Sequence, residues 1–189
     1  MSVVVAIVSA GALVLGTAAS SSTASGKGQA ADDGTLTYGV VGNTNDKIWP
    51  YVPASSSSAS FLRYQLYDTL TGYAHSGKFV MLLASKFVPS NRFRDWDVHL
   101  KKGIKFADGS TLTAKDVVFS IQSMFSKKHP ANQPSILTMV NPKNVKAKST
   151  YVVHFRLKRS FAPFPQVLGT PDFSMISHKS TYEKPIGTG

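Results

Sequence analysis

Between residues 95 and 125 the apolar positions change period. Trp96, Val98 and Leu100 alternate with Asp97, His99 and Lys101, the two-residue repeat of a strand with one buried and one wet face. Gly103 interrupts the repeat, Ile104 and Phe106 resume it, and Asp108-Gly109 supplies a turn in which glycine takes a positive φ. From residue 114 the repeat lengthens. Ala114, Val117, Val118, Ile121, Met124 and Phe125 fall at i, i+3, i+4, i+7, i+10 and i+11, one apolar stripe of a helix. Thr113 stands where a helix cap belongs, and Asp116, three residues on, completes a capping box and suits the positive end of the helix dipole. The segment predicts strand, turn and capped helix.

The same patterns run through the rest of the chain. Residues 36–41 predict a first strand and residues 59–71 a helix, with Phe61, Leu62, Leu66 and Leu70 on one side and Ser58 or Ser60 as its cap. Residues 71–73 and 79–82 flank the turn His75-Ser76-Gly77-Lys78, a hairpin-like excursion, and residues 83–87 enter the next strand. A loop from Pro89 to Arg94 precedes the aromatic strand, and a polar loop covers residues 127–134. Residues 145–148 and 151–157 predict a hairpin over Ser149-Thr150, with Tyr151, Val153, Phe155 and Leu157 inward and Val152, His154, Arg156 and Lys158 outward. Residues 161–168 read as a short helix interrupted by prolines, and 173–177 as a last strand or an extended link. The expected fold class is α+β, a mostly antiparallel sheet with two or three packed helices.

The first 34 residues differ in composition. Residues 3–15 form an apolar run of thirteen, too short to span a bilayer comfortably and the right length for the core of an export signal. Only Met1 and Ser2 precede it, so the basic residues usual before such a core are missing, while Thr17, Ala18 and Ala19 offer a cleavage site. A short buried helix is the competing reading, disfavoured because residues 20–34 are small, polar and aperiodic, a flexible tether unfit to pack. The domain plan is a signal-like segment at 1–19, a linker at 20–34 and a folded body at 35–189. Export places that body outside the cytoplasm.

Composition narrows the chemistry. The chain of 189 residues is long enough for an ordinary domain, and the absence of cysteine rules out disulfides and thiolate metal sites. Its net charge of +11 comes from 21 Lys and Arg against 10 acidic residues. Those bases are scattered over turns and outward strand positions, a solvated face, so nucleic acid is not the expected partner, although a basic nucleic-acid or anionic-surface module stays as the alternative. The five histidines stand singly, without zinc spacing; His99 and His154, with Asp97, are outward positions that could meet across the sheet, but surface histidines are usually just solvated. No G-x-S-x-G elbow or P-loop occurs, and with Glu183 as the one glutamate a paired-carboxylate site would need turn and cap aspartates. No enzyme and no cofactor are expected. Trp49, Tyr51, Tyr64, Tyr73 and Trp96 are candidates to stack on a ligand, most of them as well suited to a core, with Trp96 assigned to structure.

A family resemblance is carried by specific runs. Leu83-Ala84-Ser85, Trp96 through Gly103, Phe106-Ala107-Asp108-Gly109 and Leu112 through Val118 closely resemble the signature of the bacterial extracellular solute-binding family five, whose members include dipeptide-, oligopeptide- and nickel-binding proteins of ABC importers. Leu66-Tyr67-Asp68-Thr69-Leu70, Phe161-Ala162-Pro163-Phe164 and Pro185-Ile186-Gly187-Thr188-Gly189 match in the family's order. The resemblance implies part of a two-lobed fold like that of type II periplasmic binding proteins: the first strand of the larger lobe plus the smaller subdomain, cut short at its carboxyl end. It implies a monomer that takes a peptide or similar small solute and hands it to ABC importer membrane subunits. In the family the loop after the first strand borders the ligand cleft, which makes Asn43, Thr44, Asn45 and Trp49 the candidate ligand contacts. Turn formation is the competing role for the Asn and Thr residues. A truncated product without activity is a third reading, and half a cleft alone is expected to bind weakly or not at all.

Overall fold

The structure is a computed structural model that describes residues 49–51, 57–128 and 138–188, all within the unit Val40–Gly189. The expected first strand at 36–41 and the segments at 1–19 and 20–34 lie outside the described residues. In order, the elements are α1 (Ser57–Leu66), β1 (Thr71–Tyr73), β2 (Phe79–Met81), β3 (Ala84–Ser90), β4 (Asp95–Leu100), α2 (Ala114–Ser123), β5 (Val140–Ser149), β6 (Val152–Leu157) and α3 (Phe164–Val167), followed by a 3-10 turn at Pro171–Phe173. β1 and β2 make a small hairpin; β3, β4, β6 and β5 form, in that order, a fully antiparallel four-stranded sheet. The α+β expectation holds.

Two-residue alternation sorts the large sheet into faces. Trp96 pairs with Phe155 and Val98 with Val153, all four buried, while Asp97 pairs with His154 on the opposite face. β5 is longer than the sequence suggests: it starts at Val140, and an irregular stretch before Val145 resets its pairing with β6. β3 likewise runs to Ser90 through Pro89, which an edge strand tolerates because its missing N–H faces no partner. The predicted loop before the aromatic strand therefore shrinks to residues 91–94. There Asn91, Arg92 and Phe93 all take positive φ, at 48°, 52° and 65°, a conformation that L residues avoid at roughly 1–2 kcal/mol each. The turn is held by the Phe93 carbonyl, which accepts from Trp96 Nε1 and from the Phe161 amide, both at 3.0 Å.

α2 packs on the inner face of the sheet and forms as its sequence predicts. Ala114, Val117 and Ile121 are buried, and Thr113 and Asp116 make the capping box. Asp116 does more than cap. Its Oδ2 accepts from the amide and hydroxyl of Thr113, both at 2.8 Å, and its Oδ1 accepts from the amide of His178 at 2.8 Å and meets His178 Nδ1 at 2.7 Å. One turn further on, buried Ser120 donates to the Ile176 carbonyl at 3.1 Å and accepts the Ile176 amide at 3.0 Å. Residues 174–178 are thus laid along α2 as an extended link and not as a strand: α2 side chains take the backbone hydrogen bonds of Ile176 and the amide of His178, while the amides of Met175 and Ser177 go to Asp68 and Ile186.

α1 departs from expectation in two ways. It ends at Leu66 and not at residue 71, since the backbone of Asp68 and Leu70 is used elsewhere: the Asp68 carbonyl accepts from Met175 and the Leu70 carbonyl from both Leu82 and Ala84. Its buried face carries Arg63, and Tyr67 just beyond its end is buried too, whereas Phe61, expected inside, is 47% exposed. α3 is a single turn, shorter than the predicted 161–168 helix because Pro163 and Pro165 bracket its start.

Ser120→Ala leaves the Ile176 amide and carbonyl buried without their partner, so it should lower unfolding free energy by about 2 kcal/mol, read from urea midpoints. An unchanged midpoint would detach the 174–178 link from α2. On the outer face, the hydrogen-bonded Arg156 guanidinium holds the Asp95 carboxyl below its ordinary value of 3.8. A group harder to protonate when folded contributes fully above its unfolded pKa and loses that contribution as pH falls through the folded one. Arg156→Gln should therefore flatten the loss of stability between about pH 4 and pH 2, with urea midpoints at each pH as the measure.

Candidate ligand cleft

The chain leaves α1 at Leu66 and returns beside it at its far end. Gly187 lies so close that a Cβ there would run into the Leu66 carbonyl oxygen and stand 2.7 Å from the Tyr67 ring. Thr188 then clasps Asp68: its hydroxyl donates to Asp68 Oδ2 at 2.9 Å and accepts the Asp68 amide at 3.2 Å. On the other side, Gly169 presses on β1, where a Cβ would lie 3.0 Å from the Thr71 carbonyl oxygen and 3.2 Å from Gly72 Cα. Thr71 Oγ1 donates to the Pro165 carbonyl at 2.6 Å and fixes that approach. Between these contacts opens a cleft of about 370 Å³, lined by Tyr64, Tyr67, Asp68, Thr69, Gly72, Tyr73, Leu82 and Gly169.

Its walls are aromatic and wet. Tyr64 is 56% and Tyr73 60% exposed, and Tyr73 meets Phe79 edge-on with ring centroids 5.8 Å apart. Tyr67 forms the buried back wall; burial pushes its phenol up to about 12, against the opposing effect of Arg63. Tyr64 is also pushed up, by burial and then by nearby Asp172, while burial raises Asp172 itself against the pull of Arg63. The raised phenols of Tyr67 and Tyr64 keep their hydroxyl protons at pH 7, and the cleft offers apolar ring surface with few fixed polar groups, the usual make-up of a small-molecule site.

The sequence candidates fall in different places. Asn43, Thr44 and Asn45 lie outside the described residues. Trp49 is buried at 4% exposure against Tyr51, at 5.6 Å and 89°, and Tyr182, at 5.7 Å. Tyr51 is buried with it and donates to the Ser174 carbonyl at 2.8 Å. Trp96 is core, packed with Phe87, Phe93 and Phe164. Of the five rings singled out, Tyr64 and Tyr73 stand on the surface and share one cleft. Asp68 and Gly169 carried no signal for a site, because only the fold brings residues so far apart into one wall.

The outer sheet face holds charge. His154 Nδ1 lies 2.8 Å from Asp97 Oδ1, and Lys148 Nζ takes the other oxygen at 2.6 Å. Burial opposes the Asp97 carboxylate, but the hydrogen bonds from Lys148 and His154 outweigh it and keep its pKa low. His99 pairs with Val152 and is not a ligand neighbour of that pair, and no metal-holding group of three occurs among the described residues. No helix among them is long and apolar enough to cross a membrane.

The sequence profile of bacterial extracellular solute-binding proteins, family 5 Middle, matches residues 78–189. The chain belongs to this family. Among relatives of this family-5 chain, the oligopeptide-binding protein AppA of Bacillus subtilis (strain 168) is 29% identical over 182 residues, covering 89% of this chain and 33% of AppA. The probable D,D-dipeptide-binding periplasmic protein DdpA of Escherichia coli (strain K12) is 31% identical over 153 residues, 79% of this chain and 27% of DdpA. The solved structure of AppA from Bacillus subtilis in complex with a nonapeptide superposes with a TM-score of 0.61 at 26% identity, over 74% of this chain and 30% of that one. The unliganded open form of the periplasmic murein tripeptide binding protein MppA gives 0.65 at 21% identity, over 76% and 32%, and shows the shared fold. The family-5 chain spans about a third of the length of these curated relatives.

Gly187→Ala forces the Leu66–Tyr67 backbone and residue 187 apart, so it should cost about 2 kcal/mol or more in urea unfolding and loosen Thr188 from Asp68. Wild-type stability in this variant would mean that residues 187–188 do not close the cleft.

Proposed function

We propose that this chain serves the solute-recognising part of an ABC importer receptor, acting outside the cytoplasm on a peptide or similar small solute. The observation that carries the reading is the family match over residues 78–189 together with a cleft walled by two exposed tyrosines. Relatives named for oligopeptide and dipeptide binding support the solute class. The importer's membrane subunits are the partners, the receptor works as a monomer, and the assignment is to binding and not to catalysis. Asn43, Thr44 and Asn45, which lie outside the described residues, would contribute hydrogen bonds to the solute. Trp49, with its ring buried, would serve by packing and not by stacking on a ligand.

Tyr64 and Tyr73 on the cleft wall are more than half exposed, so the 189-residue chain by itself excludes little water from a ligand. Binding should accordingly be weak, with a dissociation constant of about 1 mM for short peptides. Calorimetry and tyrosine fluorescence on the chain, against short peptides and against single- and double-stranded oligonucleotides, make the test. Peptide-dependent signals without oligonucleotide binding are expected. Oligonucleotide affinity that falls steeply with salt, with no response to peptide, would replace the proposal by a basic nucleic-acid module; micromolar peptide affinity would overturn its half-open geometry.

A further inference from the structure

The outward face of the large sheet is ordered in rows of paired residues. In one row Ser90 pairs with Asp95 and Asp95 with Arg156; in the next Val88 pairs with Asp97, Asp97 with His154 and His154 with Lys146, and Lys148 also reaches Asp97. Each of these rows sets a carboxylate against its bases. The third row breaks that rule. Lys86 pairs with His99, His99 with Val152 and Val152 with Ser149, so two basic side chains stand opposite each other with no acid in the row. Such a pair adds no ion pair to the sheet and weakens it when both members are charged. Among the described residues neither Lys86 nor His99 has an acidic partner.

All four residues of the unbalanced row line one cavity of about 460 Å³, together with Lys102, Thr150 and Tyr151. Lys102 Nζ lies 5.9 Å from the centre of the Tyr151 ring and likewise has no acidic partner among the described residues. The turn that brings in Ser149 and Thr150 is fixed from two sides: the Thr150 carbonyl accepts from Ala114 at 2.8 Å and the Tyr151 carbonyl from Leu100 at 2.9 Å. None of the described residues lining the cavity is acidic. Two ammonium groups, an imidazole and two hydroxyls thus converge from separate stretches of chain, and the acceptor that uses donors from several directions is a tetrahedral oxyanion, whereas a carboxylate offers two oxygens in one plane. We infer that this cavity binds a phosphate group, with Lys86 and Lys102 supplying charge and His99 and the hydroxyls of Ser149 and Thr150 supplying hydrogen bonds. A soluble phosphomonoester and a phospholipid headgroup share that chemistry. The cavity has no residue in common with the candidate ligand cleft, so the inference goes beyond the proposed solute function and stands apart from it.

The test is a nuclear magnetic resonance titration of the 189-residue chain at constant ionic strength, with the His99 ring and the amides of Ser149 and Thr150 as reporters. The probes are inorganic phosphate, glycerol 3-phosphate and sodium acetate. Saturable shifts at the three reporters are expected with both phosphates, and acetate should bind at least about tenfold more weakly. Lys86→Gln and Lys102→Gln, both at exposed positions, should each weaken phosphate severalfold and together by about tenfold or more, with the urea midpoint unchanged. Lys146→Gln removes the same charge one row away, opposite His154, and should leave phosphate binding as it was. Flotation with vesicles of phosphatidylglycerol and phosphatidylcholine, set against phosphatidylcholine alone, separates the two sources. Flotation with the anionic vesicles that the double variant loses assigns the group to a lipid headgroup, and phosphate shifts without flotation assign it to a soluble phosphate; both uphold the inference. No shift at the reporters, equal binding of acetate, or an equal loss in Lys146→Gln overturns it. Peptide binding that leaves these three reporters unmoved upholds the separation of the two sites, so either proposal can fail while the other stands.

Discussion

A buried carboxylate holds the two ends of the described fold together. Asp116, 1% exposed, closes the first turn of α2 through Thr113 and, with its other oxygen, binds the backbone and ring of His178. A carboxyl group so far from water needs hydrogen-bond partners, and the amide and hydroxyl of Thr113 and the amide of His178 donate to it here, with His178 Nδ1 at 2.7 Å. The consequence is positional. With residue 178 pinned, and Ser120 holding Ile176, the chain beyond has a set starting point; Ile186 then returns to pair with Ser177, and Gly187 and Thr188 arrive against α1.

That return creates the cleft. Neither α1 nor the β1–β2 hairpin has a concave surface of its own, but Thr188 on Asp68 and Gly169 on Thr71 draw three separate stretches of chain to one wall. Two glycines are needed at these contacts because backbone meets backbone, and any side chain would hold the layers apart. The walls are closely packed where backbone meets backbone and open where Tyr64 and Tyr73 face water.

The outer face of the sheet is built on another principle. Its acids and bases stand in register on neighbouring strands, Asp95 with Arg156 and Asp97 with His154, so that the local charges offset one another. The excess positive charge of the chain is spread over turns and edges.

Local pattern determined a good part of this protein. The strand at Trp96–Leu100, the Asp108-Gly109 turn, the Thr113 cap with Asp116, the hairpin over Ser149-Thr150 and the inward set Val153, Phe155 and Leu157 are written in spacing that short-range sterics and amphipathicity read directly. The family signature sits on those same runs. What only the tertiary structure decided is where competing partners for the backbone lie. α1 stops at Leu66 because Met175, Leu82 and Ala84 take the carbonyls of Asp68 and Leu70; Trp49 is buried against Tyr51 and Tyr182, whereas Tyr64 and Tyr73 are left exposed. Several such choices depend on contacts more than a hundred residues apart, and no period along the chain records them.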